Sequence, residues 1–283
     1  MTTPAETGAG EFNANTSTRI ALGIEYDGQA FCGWQTQPGK CAVQDHLEAA
    51  LAIIHGAPLH TITAGRTDAG VHALAQVVHF DVVNPRPESA WVRGVNAHLP
   101  SGISVLWAIP VSPVFDARRS ALERCYRYVL LNRRVRPAIL AGKVGWLHGE
   151  LDVPAMQAAA SAFLGTHDFS AFRAAECQAK SPVRDVRVAK VSKAGEFVVF
   201  EFRANAFLHH QIRNMVGALL WVGMGRRPVD WVACVLASRD RSQGAATFAP
   251  DGLYLASVKY EDHWGLPESN DMILPMLSTP AET

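Results

Sequence analysis

Apolar and polar residues alternate along several stretches of the chain with a period of two, which is the pattern of a β-strand with one buried face. The clearest stretch is 18–27, in which one face carries Ile20, Leu22, Ile24 and Tyr26. The same reasoning predicts further strands at 76–82, 103–109, 124–131, 185–191, 197–203 and 253–260. The chain therefore has enough strands to form a large sheet.

Other stretches have apolar residues three and four positions apart, which predicts amphipathic helices. The first lies at 43–54, with apolar residues at Val43, Leu47, Ala50, Leu51 and Ile54. Further helices are predicted at 90–98, from a capping Asp152 to just before Gly165, at 207–222 and near 229–237. Strands and helices do not alternate strictly, so we expect an α+β fold with the sheet on one side and the helices on the other.

The two ends of the chain lack this periodicity. The N-terminal stretch is rich in Thr, Ala, Gly and Asn, and the C-terminal stretch combines prolines with scattered acidic residues. We expect disordered tails at 1–17 and 263–283, because such compositions bury too little apolar surface to fold. Between the tails, prolines near residue 112 separate an N-terminal half at 18–112 from a C-terminal half at 113–262.

The composition and the cysteine pattern limit the class of protein. A hydrophobic content of 48% excludes collagen-like and low-complexity chains. The 5 cysteines are an odd number at irregular spacings without a CxxC pair, so we expect a reducing, cytoplasmic compartment. The longest apolar run, 215–225, has 11 residues, whereas a bilayer span needs about 20, so no membrane segment is expected.

The formal net charge of +0 averages regions of different charge. Seven of the 26 acidic residues lie at the two ends of the chain, so residues 18–260 carry 26 basic against 19 acidic side chains. Arginine accounts for 20 of the basic residues, and its planar guanidinium suits phosphate and stacks on bases. This composition fits a polyanionic partner, although a GC-rich genome would produce the same excess of Arg over Lys.

Residues 64–72 are the densest group of reactive side chains, in a loop between the first helix and the second predicted strand. Gly65 and Gly70 permit a sharply turned backbone that presents Asp68 on a short loop. Arg66 can pair with this carboxylate and keep it ionised for work as a nucleophile or base. The alternative is an ordinary turn in which Asp68 bonds its own backbone and Arg66 is solvated.

A second candidate region combines aromatic and basic residues on the predicted strand at 124–131. Tyr126 and Tyr128 share one face of that strand, and Arg127 lies on the other. Aromatic faces stack on bases and arginines neutralise phosphate, which is the combination that binds single-stranded or looped RNA. A strand with core tyrosines and a solvated arginine flank would show the same pattern.

A third region lies at the start of the predicted 207–222 helix, where free backbone N–H groups and the helix dipole favour anions. Arg213 is placed there to reach a phosphate or a carboxylate in a cleft. His209 and His210 are adjacent and should point to different sides of the helix, which is poor geometry for one metal ion. The sequence has no HxxxH, HxH or CxxC spacing and no GxGxxG, GxxxxGK[ST] or GxSxG motif, so we expect neither a metal nor a cofactor.

Taken together and in order, these regions make the chain resemble the bacterial tRNA pseudouridine synthase A family. Besides 64–72 and 204–217, the matching stretches are 24–28, 33–35, 94–96, 126–128, 168–169, 172–173 and 252–255. One such block would be weak evidence, but the ordered set is specific and extends over about 18–262. The resemblance implies two similar α/β halves whose mixed, mainly antiparallel sheet forms one continuous core with helices on one face.

The resemblance also implies an activity and a set of residues. The family isomerises uridine to pseudouridine at positions 38, 39 and 40 of the tRNA anticodon stem-loop, without a metal or a redox cofactor, and acts as a homodimer. By position, Asp68 resembles the catalytic aspartate, Arg66 its loop neighbour, Tyr126 the tyrosine that stacks on the uracil, Arg213 the cleft arginine and Leu253 a wall of the uracil pocket. The resemblance leaves open whether Asp68 attacks the sugar or the pyrimidine ring or removes the C2' proton.

Two further functions are compatible with the residues. A non-catalytic RNA-binding protein could use the same basic and aromatic surfaces. A metal-dependent RNA hydrolase could use Asp68 with nearby histidines. The intact Asp68 loop argues against the first function, and the absent metal-ligand spacing argues against the second.

Overall fold

The computed structural model describes residues 17–84 and 86–268. Residues 1–16 and 269–283, which make up most of the two predicted tails, lie outside the described residues. Within the described ranges the strands are β1 (Thr18–Tyr26), β2 (Ile62–Thr63), β3 (His72–Val82), β4 (Ile103–Val111), β5 (Glu123–Asn132), β6 (Gly145–Leu147), β7 (Gly165–Asp168), β8 (Val183–Ala194), β9 (Phe197–Ala204) and β10 (Leu253–Lys259). The helices are α1 (Val43–His55), a π-helical turn at Ala90–Gly94, α2 (Val153–Ala160), α3 (Gln211–Gly223) and α4 (Trp231–Ser238). Of the helices in these ranges, none has the length and apolar character needed to cross a membrane.

The described strands form one continuous mixed sheet. Its order is β4-β1-β3-β10-β5-β9-β8-β7, with β2 beside β3 and β6 beside β5. The pairs β3–β10 and β5–β6 are parallel, and the other pairs are antiparallel. The late strand β10 lies near the middle of the sheet, where it connects the strands of the first part of the chain to those of the second part.

The helices α1 to α4 pack on one face of the sheet. Apolar residues from each helix, among them Leu47, Met156, Leu219 and Val235, belong to the same buried cluster as inward-facing residues of the strands. The smaller apolar clusters in the described residues, one of them around Phe115, include no residue of α1 to α4. The predicted α+β fold, with a mainly antiparallel sheet and helices on one face, is confirmed.

The structure differs from the predicted elements at the ends of two helices and at three short strands. The helix predicted to reach Gly165 is α-helical only to Ala160 and continues as a 3-10 turn at Ser161–Phe163, after which Gly165 begins β7 with a φ of +95°. The next long helix begins at Gln211 and not at Phe207, because His210 has a left-handed φ of 61° that an α-helix does not allow. Strands β2, β6 and β7 have two to four residues, which are too few to show a period.

The predicted C-terminal tail begins with packed residues. Trp264 contacts Phe115 edge-on, with ring centroids 5.3 Å apart, and Phe115 contacts Tyr260 at 5.4 Å. These rings belong to a cluster that includes no residue of α1 to α4. The packed part of the chain thus extends beyond residue 263, because burial of aromatic surface stabilises this segment.

Cys32 and Cys41 form a disulfide in the loop between β1 and α1. The backbone N–H of Cys32 donates to the carbonyl of Cys41, and the two Cα atoms lie 5.5 Å apart, which suits a disulfide. Cys177 and Cys234 have free thiols. The expectation of a reducing compartment was based on the odd number of cysteines and the absence of a CxxC pair, and the spacing of these two residues gave no sign of their pairing.

Arg124 is buried, although its sequence context suggests an RNA-binding surface. Its guanidinium donates to the carbonyls of Ala64 at 2.9 Å, Arg118 at 2.6 Å and Asn205 at 2.7 Å. Burial lowers the pKa of Arg124. These bonds connect β5 to the loop that follows β2, so Arg124 supports the fold and its donors are directed at the protein itself.

We expect Arg124→Met to destabilise the fold by about 2–3 kcal/mol, because several carbonyls would lose a charged donor. Urea unfolding measures this loss. Arg119→Met, at an exposed position, is the matched control and should change the free energy of unfolding by less than about 0.5 kcal/mol. Equal stabilities of the two variants would contradict the structural role of Arg124.

Candidate active site

The loop at 64–71, between β2 and β3, is held by buried polar contacts. The Thr67 and Tyr26 hydroxyls are hydrogen-bonded at 2.7 Å, and the backbone N–H of Trp34 donates to the Thr67 carbonyl at 3.0 Å. Burial raises the pKa of Tyr26 to about 12, so this hydroxyl stays neutral. The next residue, Asp68, is therefore presented from a well-supported backbone.

The two ends of this loop are also constrained. The Gln76 amide donates to the Gly65 carbonyl at 2.6 Å. Gly70 has a φ of +79°, and a Cβ at this position would lie 2.8 Å from the ring of Pro250. The predicted sharp turn is thus present at Gly70, whereas Gly65 does not adopt a left-handed backbone.

Three basic side chains of the described residues surround the carboxylate of Asp68, which is 18% exposed. Arg213 Nη1 donates to Asp68 Oδ2 at 3.1 Å, and Arg213 Nε donates to the carbonyl of Phe248 at 2.8 Å. His209 Nε2 lies 3.3 Å from Oδ1, and His210 Nε2 lies 3.4 Å from Oδ2. Each carboxylate oxygen therefore has at least one basic partner.

These partners control the ionisation of Asp68. Burial by itself would raise the pKa of Asp68, but the hydrogen bond from His209 and the charges of His210 and Arg213 outweigh it and hold the pKa below its usual value. The bond to Asp68 also raises the pKa of His209, whereas burial lowers the pKa of His210. Asp68 is thus a carboxylate at neutral pH, and its two imidazole neighbours differ in how readily they take up a proton.

The predicted pairing of Arg66 with Asp68 does not form. Thr67 is buried between them, and the Arg66 side chain is exposed at the edge of the cleft into which Asp68 faces. Arg213, which lies 145 residues further along the chain, makes the ion pair instead. Arg66 is therefore available for a role at the surface of the cleft.

The prediction that His209 and His210 point to different sides of a helix is wrong. Both residues precede α3, and the left-handed backbone of His210 places its ring beside that of His209, with centroids 4.0 Å apart. The sequence reasoning missed both residues as neighbours of Asp68. Their position, four and three residues before Arg213, was the feature of the sequence that could have placed them near Asp68.

Asp68, His209 and His210 also form a group that could bind a metal ion. One ligand atom from each residue lies within 4.8 Å of the other two. Carboxylate oxygen and imidazole nitrogen are common ligands of zinc and other divalent transition metals. Motif spacing in the sequence could not indicate this group, because only the tertiary structure adds Asp68 to the adjacent histidines.

Tyr126 and Leu253 line the same cleft as Asp68. They are buried residues of the neighbouring antiparallel strands β5 and β10. The Tyr126 ring packs edge-on against Phe207, with centroids 5.3 Å apart, and burial raises the pKa of Tyr126, so its ring is neutral. The structure thus brings four of the five predicted site residues together and places the fifth at the rim: Asp68, Tyr126, Arg213 and Leu253, with Arg66 at the edge.

The cleft has a volume of about 1350 Å³ and a basic lining. Among the described residues, its arginines are Arg66, Arg118, Arg119, Arg124, Arg184 and Arg213, and its acidic residues are Asp68, Asp116 and Glu176. The volume exceeds the roughly 300–1,000 Å³ of typical small-molecule pockets. Arg124 and Arg213 are bonded to groups of the protein, so the exposed arginines of the cleft, Arg66, Arg118 and Arg119, are the ones that favour a polyanion, and the size suits a segment of a macromolecule.

We expect Asp68→Asn to lower the pKa of His209, because the variant removes the charge-assisted hydrogen bond and the negative charge that raise it. In the wild-type protein, the interaction of protonated His209 with Asp68 stabilises the fold. This stabilisation is complete below the ordinary histidine pKa of 6.5 and is lost as pH rises through the higher pKa of His209 in the folded protein. A histidine NMR titration measures the change. His79, on β3, is the internal control and should titrate identically in both proteins; an unchanged His209 would contradict the ion pair.

The family described as tRNA pseudouridine synthase matches residues 23–118 and 159–261 of this chain. The tRNA pseudouridine synthase A of Methylobacillus flagellatus is 57% identical over 249 residues, which are 88% of this chain and 95% of that protein. The protein of the same name from Dechloromonas aromatica is 56% identical over 256 residues, which are 90% of this chain and 98% of that protein.

Among solved structures, an archaeal box H/ACA sRNP Nop10–Cbf5 complex matches 83% of this chain and 46% of that chain, with 13% identity and a TM-score of 0.32. This likeness is too distant to carry an argument. The family match is different, because its first segment contains Asp68 and its second contains His209, Arg213 and Leu253. With that match over most of its length and with relatives at 56–57% identity, the chain belongs to the tRNA pseudouridine synthase family.

Proposed function

We propose that this protein isomerises uridine to pseudouridine at positions 38, 39 and 40 of the tRNA anticodon stem-loop. The observation that carries the proposal is an ionised, half-buried Asp68 in the same basic cleft as the neutral ring of Tyr126. The family of the chain supports the reaction, and the relatives named above carry tRNA in their names. The three tRNA positions are proposed from the sequence resemblance.

The chemistry of this isomerisation requires a carboxylate. The C1'–N1 glycosidic bond breaks, the uracil turns in place, and C5 joins C1'; C5 loses its proton and N1 gains one. The product has the same atoms as the substrate, so no oxidant or reductant is consumed. Asp68 starts the sequence either by attack on the sugar or pyrimidine ring or by removal of the C2' proton, and both routes need it ionised.

The detached uracil must remain in the site while it turns. The ring of Tyr126 offers an aromatic face for stacking, and Leu253 on the adjacent strand offers an apolar wall. Arg213 keeps Asp68 ionised and oriented through its bond to Oδ2. Arg66, exposed at the edge of the cleft, is placed to fill the space behind the target nucleotide when that nucleotide leaves its stack.

The surface of the protein supports tRNA and a second copy of the chain as partners. The arginines of the cleft favour a phosphate backbone. Val135 and Ile139 are 69% and 97% exposed, which supports a surface that a second copy covers in a homodimer. The cytoplasm is the proposed compartment, because the proposed substrate is tRNA.

A metal-dependent RNA hydrolase is the second candidate function, and one observation favours it. Asp68, His209 and His210 could together hold a metal ion that activates water against a phosphodiester. A third outcome, RNA binding without catalysis, would use the cleft arginines alone. These functions differ in the bond that is broken and in the need for a metal ion.

Tritium release from tRNA labelled at C5 of its uridines tests the proposal, because formation of the C5–C1' bond must expel the C5 hydrogen. We expect release by the wild-type protein in the presence of EDTA, and none by Asp68→Ala. RNA cleavage that EDTA stops, without tritium release, would show the hydrolase instead. Binding without cleavage or release would reduce the protein to an RNA-binding module.

Asp68→Asn removes the charge and keeps the size of the side chain. We expect turnover to fall by about 10³-fold or more, because neither nucleophilic attack nor proton removal is open to the amide, while tRNA binding changes little. Single-turnover tritium release and filter binding measure the two quantities. Glu176→Gln, an exposed acidic residue of the same cleft, is the matched control; similar rates for both variants would refute the role of Asp68.

Tyr126→Phe and Tyr126→Leu separate stacking from the hydroxyl. If the ring holds the uracil, Tyr126→Phe should keep most of the activity, whereas Tyr126→Leu should lose roughly 5-fold to 150-fold, which corresponds to the 1–3 kcal/mol of base stacking on an aromatic ring. Comparison of kcat/KM for the two variants measures the difference. Equal losses would assign the function to the hydroxyl and reject the stacking role.

A further inference from the structure

In the steps proposed above, the two histidines beside Asp68 act only by helping to keep that carboxylate ionised. Arg213 already supplies a full positive charge to the carboxylate through Oδ2. His209 and His210 nevertheless lie at ion-pair distance from the two oxygens of the same carboxylate. Two imidazoles and one carboxylate are also a ligand set for a divalent transition metal.

The three side chains lie close enough together to share one divalent ion. Ligand atoms that lie 2.0–2.1 Å from a tetrahedral zinc ion are roughly 3.3–3.4 Å from one another. The Asp68 carboxylate lies 3.3 Å from His209 Nε2 through Oδ1 and 3.4 Å from His210 Nε2 through Oδ2. One ligand atom from each residue lies within 4.8 Å of the other two, so the side chains must draw closer to coordinate an ion through a single carboxylate oxygen.

The backbone keeps the two imidazoles side by side before any ion binds. The left-handed φ of His210 turns its ring toward that of His209. The carbonyl of His209 accepts from the Ala174 N–H at 2.9 Å, and the Gln211 side chain accepts from the Leu208 N–H at 2.8 Å. Such preorganisation reduces the entropy lost when a ligand is captured.

Arg213 orients the metal-binding carboxylate, and the open cleft gives an ion access to the three side chains. The bond from Arg213 to Oδ2 orients the carboxylate and leaves Oδ1 as a ligand, which is how outer donors support metal-binding carboxylates. His209 is 41% exposed and His210 is 28% exposed, so an ion can reach the site and keep a water ligand. The charge of Arg213 repels a dication, so binding should be reversible.

We propose that Asp68, His209 and His210 bind a zinc-like divalent metal ion, and that the bound ion inhibits the protein by occupying the catalytic carboxylate. The inhibition rests on the proposed function of Asp68, whereas the binding rests on the geometry of the three side chains. Zn²⁺ coordinated to Asp68 withdraws the electron pair that attack or proton removal needs. Mg²⁺ should not compete, because it prefers oxygen ligands and dehydrates reluctantly.

Titration with Co²⁺ tests the binding, since tetrahedral Co²⁺ absorbs visible light and Zn²⁺ displaces it. All proteins carry Cys177→Ser and Cys234→Ser, so that no free thiol near the surface binds the ion. His210→Asn removes one ligand and keeps a residue that tolerates the left-handed backbone. We expect this variant to bind at least about tenfold more weakly, and His60→Asn, the same substitution elsewhere in the cleft, to bind as the parent does.

An absent cobalt spectrum, or equal affinities of His210→Asn and His60→Asn, would overturn the metal site. The second arm measures tritium release from C5-labelled tRNA with increasing Zn²⁺ and excess Mg²⁺. We expect Zn²⁺ to inhibit, EDTA to restore the rate, and His210→Asn to need about tenfold more Zn²⁺ for half-inhibition of its own metal-free rate. Binding without inhibition would overturn the inhibitory role. Binding with no tritium release under any condition would instead overturn the proposed isomerase.

Discussion

The ion pair between Asp68 and Arg213 joins the parts of the chain on which the site depends. Asp68 comes from the loop before β3, and Arg213 comes from α3, 145 residues later. A carboxylate that is taken out of water needs charged partners to replace its hydration. Arg213 and the two adjacent imidazoles provide that replacement, so Asp68 stays ionised in a half-buried place. The site therefore exists only when both parts of the chain have folded against each other.

The rest of the fold keeps the Asp68 loop in position for that pair. Thr67 is bonded to the Tyr26 hydroxyl and to the Trp34 N–H, and Arg124 donates to the carbonyl of Ala64 at the beginning of the loop. These contacts come from β1, from the loop after it and from β5, which are distant in sequence. Because a site that is misplaced by an ångström loses much of its activity, buried polar contacts of this kind are a condition for catalysis.

The same electrostatic arrangement explains both the proposed chemistry and the proposed inhibition. A carboxylate that is ionised, partly exposed and surrounded by basic groups is ready to act on a nucleotide in a basic cleft. With His209 and His210 as its neighbours, it is also ready to bind a divalent transition-metal ion such as Zn²⁺. Arg213 belongs to both descriptions: it keeps Asp68 charged, and it weakens the binding of a dication.

Local spacing determined the long strands and helices, and the ordered motifs that resemble the family indicated the candidate site residues. The alternation in β1 and the helical spacing in α1 indicate their buried faces, because side-chain direction in a regular element follows from spacing. The motifs identified the residues that line the cleft, Asp68, Tyr126, Arg213 and Leu253. Only the tertiary structure decided that Arg213 and not Arg66 pairs with Asp68, and that His209 and His210 join them. Those contacts depend on one left-handed residue and on packing between distant segments, which no local pattern contains.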